Sequence, residues 1–325
     1  MGVIIIPLVL GCYNSVIGFG DSITDTGNLY NSDPNRSTQS SSTRHMERPT
    51  FIIPRDDARM SSNQSVQNFE AGVNFAVAGA TALDAAFLEE MGFCFMYQRL
   101  SKHSTGVVQT NAAIFVQHIF RLQQSPFNFS NSNGRDWRQR LQRCIACRKK
   151  YRKGSSELIE LGAATLLVPG NFPIGCLPAY LTTYESSDKN QYDPSTGCLN
   201  WLNKFSGYHN DQLQLALSRI RRLHPQVAII YADYYNAMLQ LYQSPDQFGF
   251  IGETSKACCG GGGPYNYNTS ALCGDAGASA CENPAQFISW DGLHSTEAAY
   301  RWITKAILQG NYTVPRVSTL CDSPV

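Results

Sequence analysis

Apolar residues follow two rhythms along this chain: short uninterrupted runs, and stretches spaced by three and four. The runs SVIGF at 15–19, AATLLVP at 163–169 and QVAIIYA at 226–232 predict strands buried in a sheet. GVNFAVAGATALDAAFLEEMG from Gly72 predicts a strand or tight turn through Gly79, then a helix from about Leu83 to Glu90. Leu158 and Ile159 fit a further helix. Leu202, Phe205, Tyr208, His209, Leu213, Leu217 and Ile220 lie on one face of a long helix that Pro225 ends. A last helix follows, with Ser295 as its N-cap, Gly310 as its stop, and Ala299, Trp302, Ile303, Ala306 and Ile307 as its buried stripe. Strands alternating with helices imply an α/β fold with a parallel sheet. Patterning is poor from Gly92 to Lys153, and no internal repeat or linker is visible.

Composition narrows the setting. The chain has 325 residues and a formal net charge of +1. Near-neutrality gives no global reason to expect nucleic acid or an anionic membrane as partner. No stretch reaches the roughly 18–20 apolar residues of a membrane span. Eleven cysteines are many for a cytosolic enzyme. Cys258, Cys259, Cys273, Cys281 and Cys321 sit among Gly, Asn and Ser, which suits disulfides in an oxidising compartment. Asn35, Asn63, Asn128, Asn268 and Asn311 each begin an N-glycosylation triplet. Secretion is therefore expected. Residues 1–12 include the apolar run Val3–Leu10, read as a truncated signal peptide without its basic n-region. The alternative for that run is a buried first strand or a damaged N-terminus.

Two short stretches carry chemistry. FGDSITDTGN places Ser22 just after a strand and beside Gly20 and Asp21. In parallel sheets such strand ends face the ligand crevice, where free backbone N–H groups can bind a developing oxyanion. WDGLH places Asp291 and His294 three residues apart on a turn. The carboxylate can then fix the imidazole tautomer, leaving the other nitrogen as general base toward a serine.

With FGDSITDTGN, GVNFAVAGATAL, LLVPGNFPIGC, YDPSTGCLNWLNKF, IIYADYYN, ACCGGGGPYNYN and WDGLHSTEAAY in place, the chain resembles the plant-type GDSL esterase/lipases of the SGNH hydrolase superfamily. The likeness covers about residues 12–30, 68–92 and 155–321. It implies a flavodoxin-like three-layer α/β/α fold with a central parallel sheet, here incomplete, and a single domain over 13–325. It implies hydrolysis of small-molecule or lipid esters through an acyl-enzyme on Ser22, with His294 as base and Asp291 orienting it. The backbone N–H groups of Ser22 and Gly79 would serve the oxyanion hole, with Asp21 and Asn74 supporting. Such catalysis needs no metal or organic cofactor. No nucleic-acid or protein partner is implied.

One family element is missing. The third block, Gly-Gly-Asn-Asp, supplies an oxyanion donor from its Asn, and this chain has none. Asn171 in VPGNFPIG belongs to a later family segment and does not inherit the role. Where the block should stand, Arg135 to Lys153 holds nine of the chain's 26 basic residues against one acid, Asp136. With third-position bases chosen freely, DNA encoding Gly134–Gln142 reads Gly-Glu-Ile-Gly-Gly-Asn-Asp-Tyr one base later. Ser104–Ala113 and Glu47–Arg59 can likewise be recoded, one and two bases later, into family-like sequence. Segments 36–60 and 93–154 are therefore read as out-of-frame translation, with family sequence lost near residues 61 and 154. On this reading the Cys144-x-x-Cys147 pair, Cys94 and the Asn128 triplet are accidents of frame. Disulfides are expected among the other eight cysteines.

Two rival functions follow. One is a catalytically impaired pseudoenzyme that at most binds ligand, since losing one oxyanion donor costs about 10²–10³ in rate. The other is nucleic-acid or anionic-lipid binding by the basic run. Sequencing the coding DNA across Gly134–Gln142 tests the frame reading. Codons compatible with Gly-Gly-Asn-Asp one base later are expected, and codons that exclude it would overturn the reading.

Overall fold

The computed structural model describes the backbone of residues 15–19, 72–74 and 112–116, and residues 155–156, 158–160 and 162–317. Among the described residues six strands form one sheet: β1 (Ser15–Phe19), β2 (Gly72–Asn74), β3 (Ala112–Val116), β4 (Thr165–Pro169), β5 (Ala228–Ala232) and β8 (Thr313–Val314). Their order is β2-β1-β3-β4-β5-β8. The first five run parallel, and β8 pairs antiparallel at the β5 edge. The runs at 15–19, 163–169 and 226–232 form β1, β4 and β5. Leu166 and Ile229, one from each of the last two, are almost wholly buried.

β3 corrects the expectation of poor patterning after Gly92. AAIFV is a five-residue apolar run without alternation, flanked by polar sequence. It lies within the segment read as out-of-frame, yet it occupies the sheet between β1 and β4. A buried parallel position accepts any apolar run of that length, whichever frame encodes it. The expected helix from Leu83 to Glu90, the basic run, and Cys12, Cys94, Cys144, Cys147 and Cys321 lie outside the described residues.

Between β4 and β5 the chain makes α1 (Pro178–Thr183) and α2 (Asn200–Leu223). α2 buries Leu202, Phe205, His209, Leu213, Leu217 and Ile220, while Tyr208 is half-buried. Its N-cap, Leu199, has no side-chain oxygen to offer the first turn. Its entry is fixed instead by the Cys176–Cys198 disulfide, by Leu199 N–H donating to the Gly175 carbonyl (2.9 Å), and by Gly175 N–H donating to Asn203 Oδ1 (2.9 Å). Only glycine fits at 175, because a Cβ there would collide with the Leu199 carbonyl. At the other end Arg221 donates to the carbonyls of Ile229 (2.8 Å) and Val314 (2.8 Å), tying helix to sheet edge. A cation in a last turn also suits the helix dipole.

α3 (Tyr234–Gln243) follows β5 directly, capped by Asp233, whose carboxylate accepts from Asn236 N–H. α4 (Glu297–Gln309) is the last helix. Its N-cap is Thr296 rather than Ser295: Thr296 Oγ1 accepts from Ala299 N–H (3.2 Å), while Ser295 is drawn into the preceding turn. Gly310 does stop the helix. The buried stripe is Ala299, Tyr300, Ile303, Thr304, Ile307 and Leu308, with Ala306 half-buried. Trp302 instead lies at the surface, edge-on to Phe248 and beneath Lys305. The buried face is rotated by about one residue from the expected stripe.

Leu202 and Phe205 of α2, Met238 and Leu241 of α3, Ile303 and Ile307 of α4, and Ile230 of β5 share one core. Among the described residues no helix is long and apolar enough to cross a membrane. Leu202 is fully buried. Leu202→Ala should cost about 2–5 kcal/mol, read as a lower urea midpoint at unchanged m-value.

Candidate active site

Asp291, Gly292, Leu293 and His294 form a tight turn just before α4. Trp290 N–H donates to the His294 carbonyl (2.8 Å), closing it. Gly292 sits at φ 93°, a backbone region that costs other residues strain. Asp291 Oδ1 accepts two backbone N–H groups, from Leu293 (2.9 Å) and His294 (2.7 Å). Its Oδ2 faces His294 Nδ1 at 2.7 Å. The carboxylate thus organises its own turn and holds the ring that the turn presents. Nδ1 donates in this arrangement, which leaves Nε2 with the lone pair.

Both side chains are nearly buried, 12% exposed for Asp291 and 10% for His294. Burial pushes the Asp291 carboxyl up. The His294 ring and the hydrogen bonds from His294 and Leu293 together outweigh that, and its pKa ends below the ordinary carboxylate value.

Three neighbours brace the turn. The first is a loop closed by two disulfides, Cys258–Cys281 and Cys259–Cys273. Within it, β6 (Cys259–Gly260) pairs antiparallel with β7 (Ser279–Ala280). Cys258 N–H donates to the Ser289 carbonyl (3.0 Å) and Cys259 N–H to the Trp290 carbonyl (2.7 Å). The second is the segment that leaves the carboxyl end of β4: Ala179 N–H, at the start of α1, donates to the Gly292 carbonyl (3.1 Å). The third is Tyr267, whose ring lies against Gly292, so that a Cβ at 292 would stand 2.5 Å from Tyr267 Cδ2. Disulfides among these cysteines were expected from the sequence; the backbone contacts to the turn and the packing of Tyr267 were not. The ACCGGGGPYNYN stretch signalled the contacts of the loop backbone, since a glycine run beside adjacent cysteines marks close backbone approach.

The other expected site residues stand as follows. Ser22, Asp21, Gly79, Asn35 and Asn63 lie outside the described residues. β1 ends at Phe19, three residues before Ser22, and occupies the sheet between β2 and β3. Asn74 ends β2 and is in register with Gly18 of β1. Asn268 and Asn311 are exposed. Asn171 is fully buried just past β4: its side-chain amide donates to Ser206 Oγ (3.3 Å) and its backbone N–H to Asn210 Oδ1 (2.6 Å).

A buried carboxylate holding an imidazole at one nitrogen, beside a parallel α/β sheet, is the acid–base arrangement found in hydrolases. The chain belongs to the GDSL-like lipase/acylhydrolase family, whose model matches residues 16–307. It is 40% identical to a GDSL esterase/lipase of Arabidopsis thaliana, over 94% of this chain and 89% of that protein. A second Arabidopsis GDSL esterase/lipase is 39% identical over 96% and 89%. The sinapine esterase of Brassica napus is 37% identical over 95% and 88%. Family membership makes this chain a carboxylic ester hydrolase by class, with the α/β fold of the SGNH hydrolases.

A carboxyl held below its unfolded value of about 3.9 stabilises the fold fully above that pH and ceases to do so as pH falls through the folded value. Asp291→Asn should lower stability by about 1–3 kcal/mol at neutral pH. The gap between variant and parent should narrow below about pH 4. Urea unfolding of both proteins across pH 2–7 checks it.

Proposed function

We propose that this chain hydrolyses carboxylic esters through an acyl-enzyme on Ser22. His294 Nε2 takes the serine proton as Oγ attacks the ester carbonyl. It then returns that proton to the departing alcohol, and a water repeats the sequence to release the acid. Asp291 keeps the ring in the tautomer that makes Nε2 the base. The observation that carries this reading is the 2.7 Å contact between Asp291 Oδ2 and His294 Nδ1, made by a carboxylate whose other oxygen is already committed to two backbone N–H groups.

Backbone N–H groups of Ser22 and Gly79 bind the developing oxyanion, with Asp21 and Asn74 supporting them. The register that sets Asn74 beside Gly18 supports this placement. Residues 13–325 act as one flavodoxin-like domain whose helices cover both faces of the sheet. The missing third-block Asn leaves the oxyanion hole one donor short. Alignment with the first Arabidopsis relative spans 345 positions, more than the 325 residues of this chain, so that protein carries sequence this one lacks. That supports a loss of family sequence from this chain, whose places remain those proposed, near residues 61 and 154. The described disulfides favour secretion. There Asn268 and Asn311 are open to glycosylation. The substrate is a small-molecule or lipid ester.

A fluorophosphonate probe should label the purified chain, and Ser22→Ala should abolish labelling. A version with restored frame should turn over a simple aryl ester about 10²–10³ faster than the chain as it stands. Labelling that survives Ser22→Ala, or no turnover by either version, would overturn the proposal.

A further inference from the structure

Asp291 is followed by Gly292, and this is the one Asp-Gly step in the chain. Such a step has a chemistry of its own. The glycine nitrogen can attack the aspartate Cγ, because no Cβ on the second residue hinders it. The N–Cγ bond forms, the C–OH bond breaks, and water leaves with the amide proton. The product is a five-membered succinimide. A second water opens the ring. Opening at Cγ restores aspartate, and opening at the backbone carbonyl leaves isoaspartate, with the chain running through Cγ. Water balances both steps, and nothing is oxidised or reduced.

The turn opposes each requirement of ring closure. The attacking nitrogen must release its proton, yet Gly292 N–H donates to Ser289 Oγ (3.1 Å). Cγ must rotate toward that nitrogen, yet Oδ1 accepts from Leu293 and His294 N–H and Oδ2 from His294 Nδ1. The leaving group must be a neutral hydroxyl, yet those contacts favour the ionised carboxylate. The peptide must swing, yet Ala179 N–H holds the Gly292 carbonyl and the Tyr267 ring packs on Gly292.

Much of this restraint comes from the cystine-closed loop, which brings Tyr267 and bonds the Ser289 and Trp290 carbonyls. The loop is separable from the core. No buried residue of the shared core belongs to it, and from it only half-buried Tyr265 packs against that core. Its cystines are also the more open to a reductant. Cys281 is half-buried, whereas Cys176 and Cys198 are fully buried.

We propose that Asp291 is a site of isoaspartate formation, closed by the cystine-bound loop and opened when those cystines are reduced by a dithiol. The dithiol supplies two electrons and two protons per cystine and leaves as its own cyclic disulfide. Isomerisation then moves one methylene from the side chain into the backbone. The carboxylate can no longer serve the two N–H groups and the ring together. Reoxidation restores the cystines but not the dyad, so a reversible redox event becomes a permanent loss. The proposal stands whether or not Ser22 is a nucleophile.

The purified full chain would be aged in neutral buffer in three states: oxidised, reduced with dithiothreitol, and unfolded in urea. Cleavage by a protease that cuts before aspartate but not isoaspartate, with electron-transfer fragmentation, reads position 291. Helical circular dichroism reads the core. The oxidised chain should isomerise at least about tenfold more slowly than the unfolded one, since the rate follows the population of the open turn. The reduced chain should approach the unfolded rate with its helical signal kept. Where reduction also opens Cys176–Cys198 and melts the helices, Cys258→Ala, Cys259→Ala, Cys273→Ala and Cys281→Ala together open the loop alone and should give the same result. Equal rates in the oxidised and unfolded chains would overturn the proposal. So would isoaspartate that appears only when the helical signal is lost.

Discussion

Two backbone hydrogen bonds, from Cys258 and Cys259 N–H to the Ser289 and Trp290 carbonyls, join the cystine-closed loop to the chain just before Asp291. The geometry of the dyad depends on them. A six-residue stretch with a positive-φ glycine has little internal reason to hold one shape. Here it is bonded by the cystine-closed loop and by α1 and packed by the Tyr267 ring, so the carboxylate meets the ring without a search. The cost in conformational entropy is borne by the loop, whose own freedom the disulfides have already reduced. The same loop supplies Tyr267 to the turn.

A second support runs from the sheet. β4 delivers the chain to the segment that holds Gly175, the Cys176–Cys198 link and α1, and α1 in turn holds the Gly292 carbonyl. Core packing of α2, α3 and α4 on β5 fixes the platform, and local hydrogen bonds transfer that fixity to the dyad. Substitutions in the platform should therefore act first on stability, and substitutions in the transfer contacts on the orientation of His294. Apolar burial dominates the one and directional polar contacts the other.

Sequence pattern made most of the platform legible. Runs of β-branched and aliphatic residues marked β1, β4 and β5, and three–four spacing marked α2 and α4. The Asp291–His294 pairing followed from spacing alone, because three residues on a turn bring a short carboxylate to an imidazole. The errors have physical sources. Ser295 and Thr296 are adjacent and both able to cap, and the choice between them was made by Ser295 pairing back onto Ser289, a tertiary contact. Trp302 was misplaced because the buried face of α4 runs through Tyr300, Thr304 and Leu308 instead. β3 was overlooked amid poorly patterned neighbours, although AAIFV is an apolar run of the same kind as those that marked β1, β4 and β5. The bracing of Gly292 by Ala179 and Tyr267 had no signature, since one contact is a backbone N–H and the other a ring against a bare Cα.

The paired cystines have a further consequence. Cys259–Cys273 lies wholly inside the span closed by Cys258–Cys281, so the two crosslinks are nested rather than crossed. A peptide bond cut anywhere from Gly260 to Leu272 leaves the two fragments joined twice over, and a cut between Cys273 and Cys281 leaves them joined once. Nicking of this exposed, glycine-rich stretch would therefore pass unseen in any separation by size until a thiol is added. Molecules intact and molecules severed beside the dyad would travel as one species.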